Sequence, residues 1–128
     1  MTRSIRFLDL EDVLNLGRRL LGDPVPIRDM GLLNSAVLRP RTALAGDYAY
    51  QDIYEMAAAL LQSIVGNHAL VDGNKRLGWL STAVFLQIND VVVSHLSNDV
   101  VYDFVLRVAS ELLSHAAITD RLRTLLAL

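Results

Sequence analysis

His68, Asp72, Lys75 and Arg76 fall within nine residues, His68-Ala69-Leu70-Val71-Asp72-Gly73-Asn74-Lys75-Arg76, and together supply a base, a carboxylate and two cations. Gly73-Asn74 is a turn signal between two apolar periodic segments. A turn that feeds the start of a helix gathers free backbone N–H groups and the positive end of the helix dipole, which is a seat for phosphate. Lys75 and Arg76 add full charge there, Asp72 could hold a divalent cation against the same phosphates, and His68 could take a proton from an attacking hydroxyl. Lys75 is the sole lysine among 12 lysines and arginines, so the one compact ammonium stands in this loop, where an arginine is no equivalent. Taken singly, each residue has a plainer reading: His68 closes a helix, Asp72 holds a turn or pairs with Arg76, and the cations are solvated. Cations in a first helical turn are mildly unfavourable unless an anion is expected, which favours the chemical reading.

The elements around this run are helical. Leu10, Val13, Leu14, Leu20 and Leu21 share one helical face, Asp9 is placed to cap it, and Gly22-Asp23-Pro24 ends it. Val25 to Arg28 reads as extended. A short helix is predicted from Met30 to before Pro40, and residues 41–50 as a loop or small flap in which Arg39 and Arg41 form a solvated approach. Ile53, Met56, Ala57, Leu60, Leu61, Ile64 and Val65 keep helical spacing, with Gly66-Asn67 as the stop. A helix from Asn74 to Ile88 carries Leu77, Leu80, Val84 and Ile88 on one stripe and Trp79 and Phe85 elsewhere, which predicts the central, most buried helix. Asn89-Asp90 signals a turn and Val91–Val93 a short extended piece. Ser97 caps a helix bearing Val101, Phe104, Val105, Val108 and Leu112, and Thr119 caps a last one with Leu122, Leu125 and Leu126. The expectation is one all-α domain over residues 1–128, a compact bundle of five or six helices, with the His68–Arg76 loop between its two most apolar helices.

Composition narrows the function. A chain of 128 residues can bury a core without staples, and its 52% apolar share leaves room for a groove that accepts a partner. A net charge of −2 gives no general attraction to DNA or RNA. The absence of cysteine excludes disulfides and thiolate metal sites, and no apolar run approaches the roughly 20 residues that span a bilayer. With no signal-peptide pattern at its start, the chain is expected to be cytoplasmic. His95 and His115 have no acidic or histidine partner at ligand spacing and read as surface or cap residues. Trp79, Tyr48, Tyr50, Tyr54 and Tyr102 read as core or rim.

The nine-residue run resembles the signature of the Fic/Doc family, and specifically its death-on-curing toxin branch. The likeness extends to Ile27-Arg28-Asp29-Met30-Gly31-Leu32-Leu33, Ala36, Arg39-Pro40, and Ala57-Ala58-Ala59-Leu60-Leu61 leading to Asn67-His68. Two positions depart from the usual pattern: Leu70 stands in for an aromatic, and Ala69 for a proline common in AMP-transferring members. The resemblance implies a nucleotide-dependent transferase that uses ATP and Mg²⁺. His68 would be the general base, Asp72 the metal ligand, Gly73 and Asn74 the phosphate-binding turn, and Lys75 and Arg76 the charge clamp. Members that attach AMP usually carry Gly where Lys75 stands, whereas the death-on-curing branch carries Lys. The branch implies a toxin–antitoxin kinase that places the γ-phosphoryl group of ATP on a threonine of elongation factor Tu and so inhibits translation. The alternatives are AMP transfer through the same loop, suggested by Gly73, and a catalytically inactive member that binds partners. The family's self-inhibitory helix needs a glutamate followed by Gly or Asn, but Glu11, Glu55 and Glu111 precede Asp12, Met56 and Leu112. Restraint is therefore expected from a separate small antitoxin, seated in an apolar groove.

Overall fold

The computed structural model describes residues 4–127. It contains α1 (Leu10–Leu21), α2 (Met30–Leu38), a 3-10 turn (Arg39–Arg41), a hairpin of β1 (Ala43–Leu44) and β2 (Asp47–Tyr48), α3 (Ile53–Asn67), α4 (Asn74–Ile88), α5 (Asn98–Ser110) and α6 (His115–Leu126). This is the all-α bundle read from the spacing, with six helices. The expected flap is real: β1 and β2 pair antiparallel, Ala43 opposite Tyr48 and Leu44 opposite Asp47.

The core is built around α3. Met56 to Leu61, Ser63, Ile64 and Val65 are all buried, and α2, α4, α5, α6 and the 3-10 turn pack around them. The expectation that α4 is the most buried helix is corrected here. Apolar residues on several faces suggested a central position, but α3 carries three successive alanines, Ala57, Ala58 and Ala59, that let neighbours approach from every side. The buried stripe of α4 is also different: Leu77, Gly78, Ser81, Thr82, Phe85 and Leu86 face inward, whereas Leu80, Val84 and Ile88 are half-buried. Small side chains make this contact. A Cβ on Gly78 would stand 2.9 Å from Cγ2 of Val65, so α3 and α4 meet almost backbone to side chain.

Several boundaries depend on hydrogen bonds that spacing does not reveal. Asp9 caps α1 as expected, in a reciprocal capping box with Asp12. Helix α3 runs through Gly66 and Asn67 and stops at His68, which itself takes the left-handed conformation with φ 51°. Ser97 caps α5, but the helix ends at Ser110; Leu112 lies beyond it, 84% exposed, at φ 49°. Ser114, not Thr119, caps α6, and the Thr119 hydroxyl donates back to the His115 carbonyl inside the helix at 2.9 Å. Val91–Val93 joins no ladder among the described residues. Asn89 is more than a turn residue: its amide exchanges two bonds with the Arg6 backbone, both 2.9 Å, and donates to the Phe85 carbonyl at 2.8 Å. The N-terminal segment is thereby tied to the end of α4, where Phe7 stacks on Phe85.

Arg39 and Arg41, expected to be solvated, are instead built into the fold. Arg41 donates to the Leu8 carbonyl at 2.9 Å and lies over the Phe7 ring. Arg39 reaches Tyr50, Gln62 and Ser63. His115 is likewise a tie, 2.8 Å from the Glu55 carbonyl through Nε2 and packed against the Tyr50 ring, while His95 is exposed. Trp79 meets Phe104 edge to face inside the bundle, and Tyr102 lies on the rim. Among the described residues no helix is long and apolar enough to cross a membrane.

Candidate active site

The nine-residue run connects the C-terminus of α3 to the N-terminus of α4, and three devices hold it there. Ala69 and Leu70 are buried at its centre, so the apolar residue standing in for an aromatic still anchors the loop, with burial of a leucine contributing about 1.5–3 kcal/mol. The segment Val25–Arg28, read as extended, lies alongside it. Ile27 forms an antiparallel bridge with Leu70, the N–H groups of Arg28 and Asp29 donate to the Ala69 carbonyl (2.8 and 3.0 Å), and Val71 N–H donates to Pro26 (2.8 Å). Asn74 closes the loop on itself: its Oδ1 accepts from Leu70 N–H and its Nδ2 donates to Leu70 O, both at 3.0 Å.

His68 is fixed through its backbone and open through its side chain. Its carbonyl accepts from the Arg28 guanidinium through Nε at 3.0 Å and through Nη2. The left-handed backbone costs a non-glycine residue about 1–2 kcal/mol, and the clamp from Arg28 helps to hold it. The residue is exposed and borders a cavity of about 170 Å³ shared with Gln62, Leu112 and Leu113. An imidazole on a fixed stem beside a small recess can accept a proton from a hydroxyl brought there.

Gly73 is required by the geometry. Its φ is 88°, and a Cβ would lie 2.6 Å from Leu21 Cδ2, at the end of α1. As the N-cap of α4 it offers no side chain to the helix start. The contrast with the other helices is consistent: α1, α2 and α3 are capped by Asp9, Asp29 and Asp52, and α5 and α6 by Ser97 and Ser114. Among the α-helices of the described residues, only α4 has neither a side-chain cap nor an acidic residue in its first turn, where Asn74, Lys75 and Arg76 stand instead. A helix that begins with uncapped N–H groups and two cations is set to receive an anion from outside the chain.

Asp72 is held lightly. Its Oδ1 accepts from Gly73 N–H at 2.9 Å, and Oδ2 lies 3.9 Å from Arg76 Nη2, with the Asp72 side chain 87% exposed. No group of three metal-binding side chains exists among the described residues, so a cation here would have to bring most of its ligands. Mg²⁺ does so when it arrives with a nucleotide, keeping several waters and using one or two carboxylates plus phosphate oxygens. One exposed carboxylate beside an uncapped helix start fits that ion.

The structure thus brings His68, Asp72, Gly73, Asn74, Lys75 and Arg76 to one loop and helix end, with Asn74 closing the turn through its side chain. Both polar atoms of its side chain bond to the Leu70 backbone. Arg28 and Leu21 were missed by sequence reasoning. Arg28 lies 40 residues from His68 and Leu21 belongs to an ordinary apolar stripe, so no local signal identifies either. Beyond the loop, Lys75 and Arg76 also line a groove of about 440 Å³ between α1, α4 and α5, whose walls include Leu20, Trp79, Val101 and Val105. None of its lining residues is acidic.

The sequence model of the Fic/DOC family matches residues 7–86, from the segment before α1 to the last turn of α4. A protein described as Toxin Doc, from Mycolicibacterium smegmatis, is 43% identical over 114 residues, covering 89% of this chain and 82% of that relative.

Proposed function

The chain belongs to the Fic/Doc family, and from that membership we propose that it is the toxin of a toxin–antitoxin pair, a kinase that transfers the γ-phosphoryl group of ATP to a threonine of elongation factor Tu and so stops translation. The observation that carries the transferase reading is the start of α4: it is the one helix without a side-chain cap, and it presents Lys75 and Arg76 where the others present a carboxylate or hydroxyl. The N–H groups of its first turn take phosphate oxygens, and the two cations balance their charge. Asp72 would hold Mg²⁺, which would supply neutralisation of the phosphate charge. His68 accepts the proton of the target hydroxyl as its oxygen attacks phosphorus, and ADP leaves along the line of attack. Lys75 supports phosphoryl transfer, because the death-on-curing branch that the chain resembles carries Lys at this position where AMP-transferring members usually carry Gly. Gly73 keeps AMP transfer as the second reading, since members of the family that attach AMP carry Gly at this position.

An enzyme of this kind harms its own cell unless restrained. The groove between α1, α4 and α5 suits the amphipathic segment of a small antitoxin: an apolar floor for one face, and Lys75 and Arg76 for acidic residues at one end. The test is expression in a bacterial host. The chain alone should arrest growth, the His68→Ala chain should not, and co-expression of the neighbouring small reading frame should relieve the arrest. Normal growth at high levels of the folded, unaltered chain would overturn the toxin reading in favour of a partner-binding member.

A further inference from the structure

Helix α3 ends on a residue poorly suited to end it. A helix that closes in the left-handed conformation ordinarily does so on Gly or Asn, and both stand in its last turn, as Gly66 and Asn67. Both stay helical, and the reversal falls one residue later, on His68, at φ 51° and ψ 43°. Asn67 spends its side-chain amide elsewhere, donating to the Leu32 carbonyl of α2 at 3.2 Å. A residue with a Cβ is strained in this conformation, which persists only where the surroundings over-determine it. The strain therefore sits on the residue that the transfer reading names as the base.

Three successive carbonyls show what holds the bend. Leu70 O accepts from Asn74 Nδ2 at 3.0 Å. Ala69 O accepts from the N–H groups of Arg28 and Asp29 at 2.8 and 3.0 Å, and these backbone bonds are indifferent to the side chain at position 28. His68 O is different, because the bonds it accepts come from a side chain: Arg28 Nε at 3.0 Å and Arg28 Nη2. The peptide between His68 and Ala69 thus depends on one guanidinium. Arg28 has no carboxylate partner among the described residues. Its neighbour Asp29 is occupied in capping α2 through Leu32 N–H at 3.0 Å. The charge of Arg28 is left to face the C-terminal end of α3, where a helix favours a cation.

We propose that Arg28 is a positioning residue for His68: its guanidinium holds the His68–Ala69 peptide in the orientation that keeps the left-handed bend, and so fixes the stem from which the imidazole projects. The backbone half of this proposal stands by itself, and its kinetic half rests on the transfer reading.

Two substitutions test it in the full chain. Arg28→Met keeps an unbranched stem and removes the donors, whereas Arg28→Lys keeps the charge and can donate to one carbonyl without the fork. Backbone carbon chemical shifts of residue 68, read by NMR, report the bend directly. They should leave their left-handed values in Arg28→Met and lie between that variant and the parent in Arg28→Lys. The ring signals of His115 and the exchange rates of the amides of Asp29 and Val71 should not change. Unmoved shifts at residue 68 overturn the proposal, and so does a change shared by His115 and both amides, which marks a general loosening of the fold. Should Arg28→Met fail to fold, Arg28→Lys is compared with the parent alone, and identical shifts overturn the proposal.

For transfer, Arg28→Met should lower kcat about 10-fold or more, the scale of a displaced catalytic group. The KM for the protein acceptor and the affinity for Mg²⁺-ATP should stay within about twofold. In a His68→Ala background the same substitution should change the residual rate by less than about twofold, since Arg28 acts through the imidazole. An unmoved kcat, or an equal loss in both backgrounds, overturns the positioning role. If the unaltered chain transfers nothing from ATP, the transfer reading fails, and the shifts of residue 68 alone decide whether Arg28 holds the bend.

Discussion

At the scale of single residues, the site separates into groups that shape the loop and groups left free to act. Gly73 belongs to the first. The Leu21 methyls near its Cα can swing aside, but the left-handed φ of 88° cannot be relieved by a neighbour. Gly73→Ala should therefore lower stability by about 1–2 kcal/mol, read by chemical denaturation, and should do so equally in a Leu21→Ala background. Asp72 belongs to the second. With its carboxylate exposed and lightly held, Asp72→Asn should leave thermal stability nearly unchanged yet weaken Mg²⁺-ATP binding measured by calorimetry. Equal binding by the two proteins would make Asp72 a turn residue only. These roles were readable unequally from sequence. His68, Asp72, Lys75 and Arg76 declare themselves by chemical type within a short span. Asn74 does not, because an amide suits either a phosphate or a backbone, and the bonds to Leu70 exist only once the loop has closed.

At the scale of elements, helix starts are the recurring device. Asp52 caps α3 by accepting from the N–H groups of Tyr54 and Glu55, both at 3.0 Å, and pairs with Arg123 of α6 at 2.6 Å. Burial alone would raise its pKa, but the backbone bond from Glu55, the Arg123 guanidinium and the Tyr54 bond together bring it below the ordinary carboxylate value. The sign follows: the stabilisation is present above the unfolded value, about pH 4, and is lost as pH falls through the lower folded value. Asparagine keeps the cap but removes the charge. The difference in melting temperature between the parent and Asp52→Asn should thus be largest near neutral pH and shrink as the pH falls below about 4; a difference independent of pH would contradict it. Element positions were legible where a period or a cap has one interpretation, as for α1 with Asp9 and α5 with Ser97. They were not where two residues compete, as with Ser114 and Thr119, or where burial depends on neighbours. Apolar count placed α4 at the centre, but the alanines of α3 decide it, since closeness of approach and not hydrophobicity sets which helix others surround.

At the scale of the whole molecule, α2, α4, α5, α6 and the 3-10 turn pack around α3, and the proposed chemistry sits where α3 hands over to α4. The extended segment before α2 and the end of α1 support this junction from below through Ile27, Arg28 and Leu21. None of these long-range supports has a sequence signal of its own; they follow from the path of the chain, whereas the bundle class followed from spacing alone. On the proposed reading, a partner seated in the groove that borders Lys75 and Arg76 would meet the same cations that would hold phosphate. The account stands most directly on which phosphate is moved. Purified protein should be incubated with elongation factor Tu and Mg²⁺, using ATP labelled at the γ position in one reaction and at the α position in another. Label from the γ position should appear on the protein acceptor and label from the α position should not, and His68→Ala should slow the transfer by about 10²–10⁴-fold. Label arriving only from the α position would contradict phosphoryl transfer and establish AMP transfer instead, and an unchanged rate in His68→Ala would remove the imidazole from the mechanism.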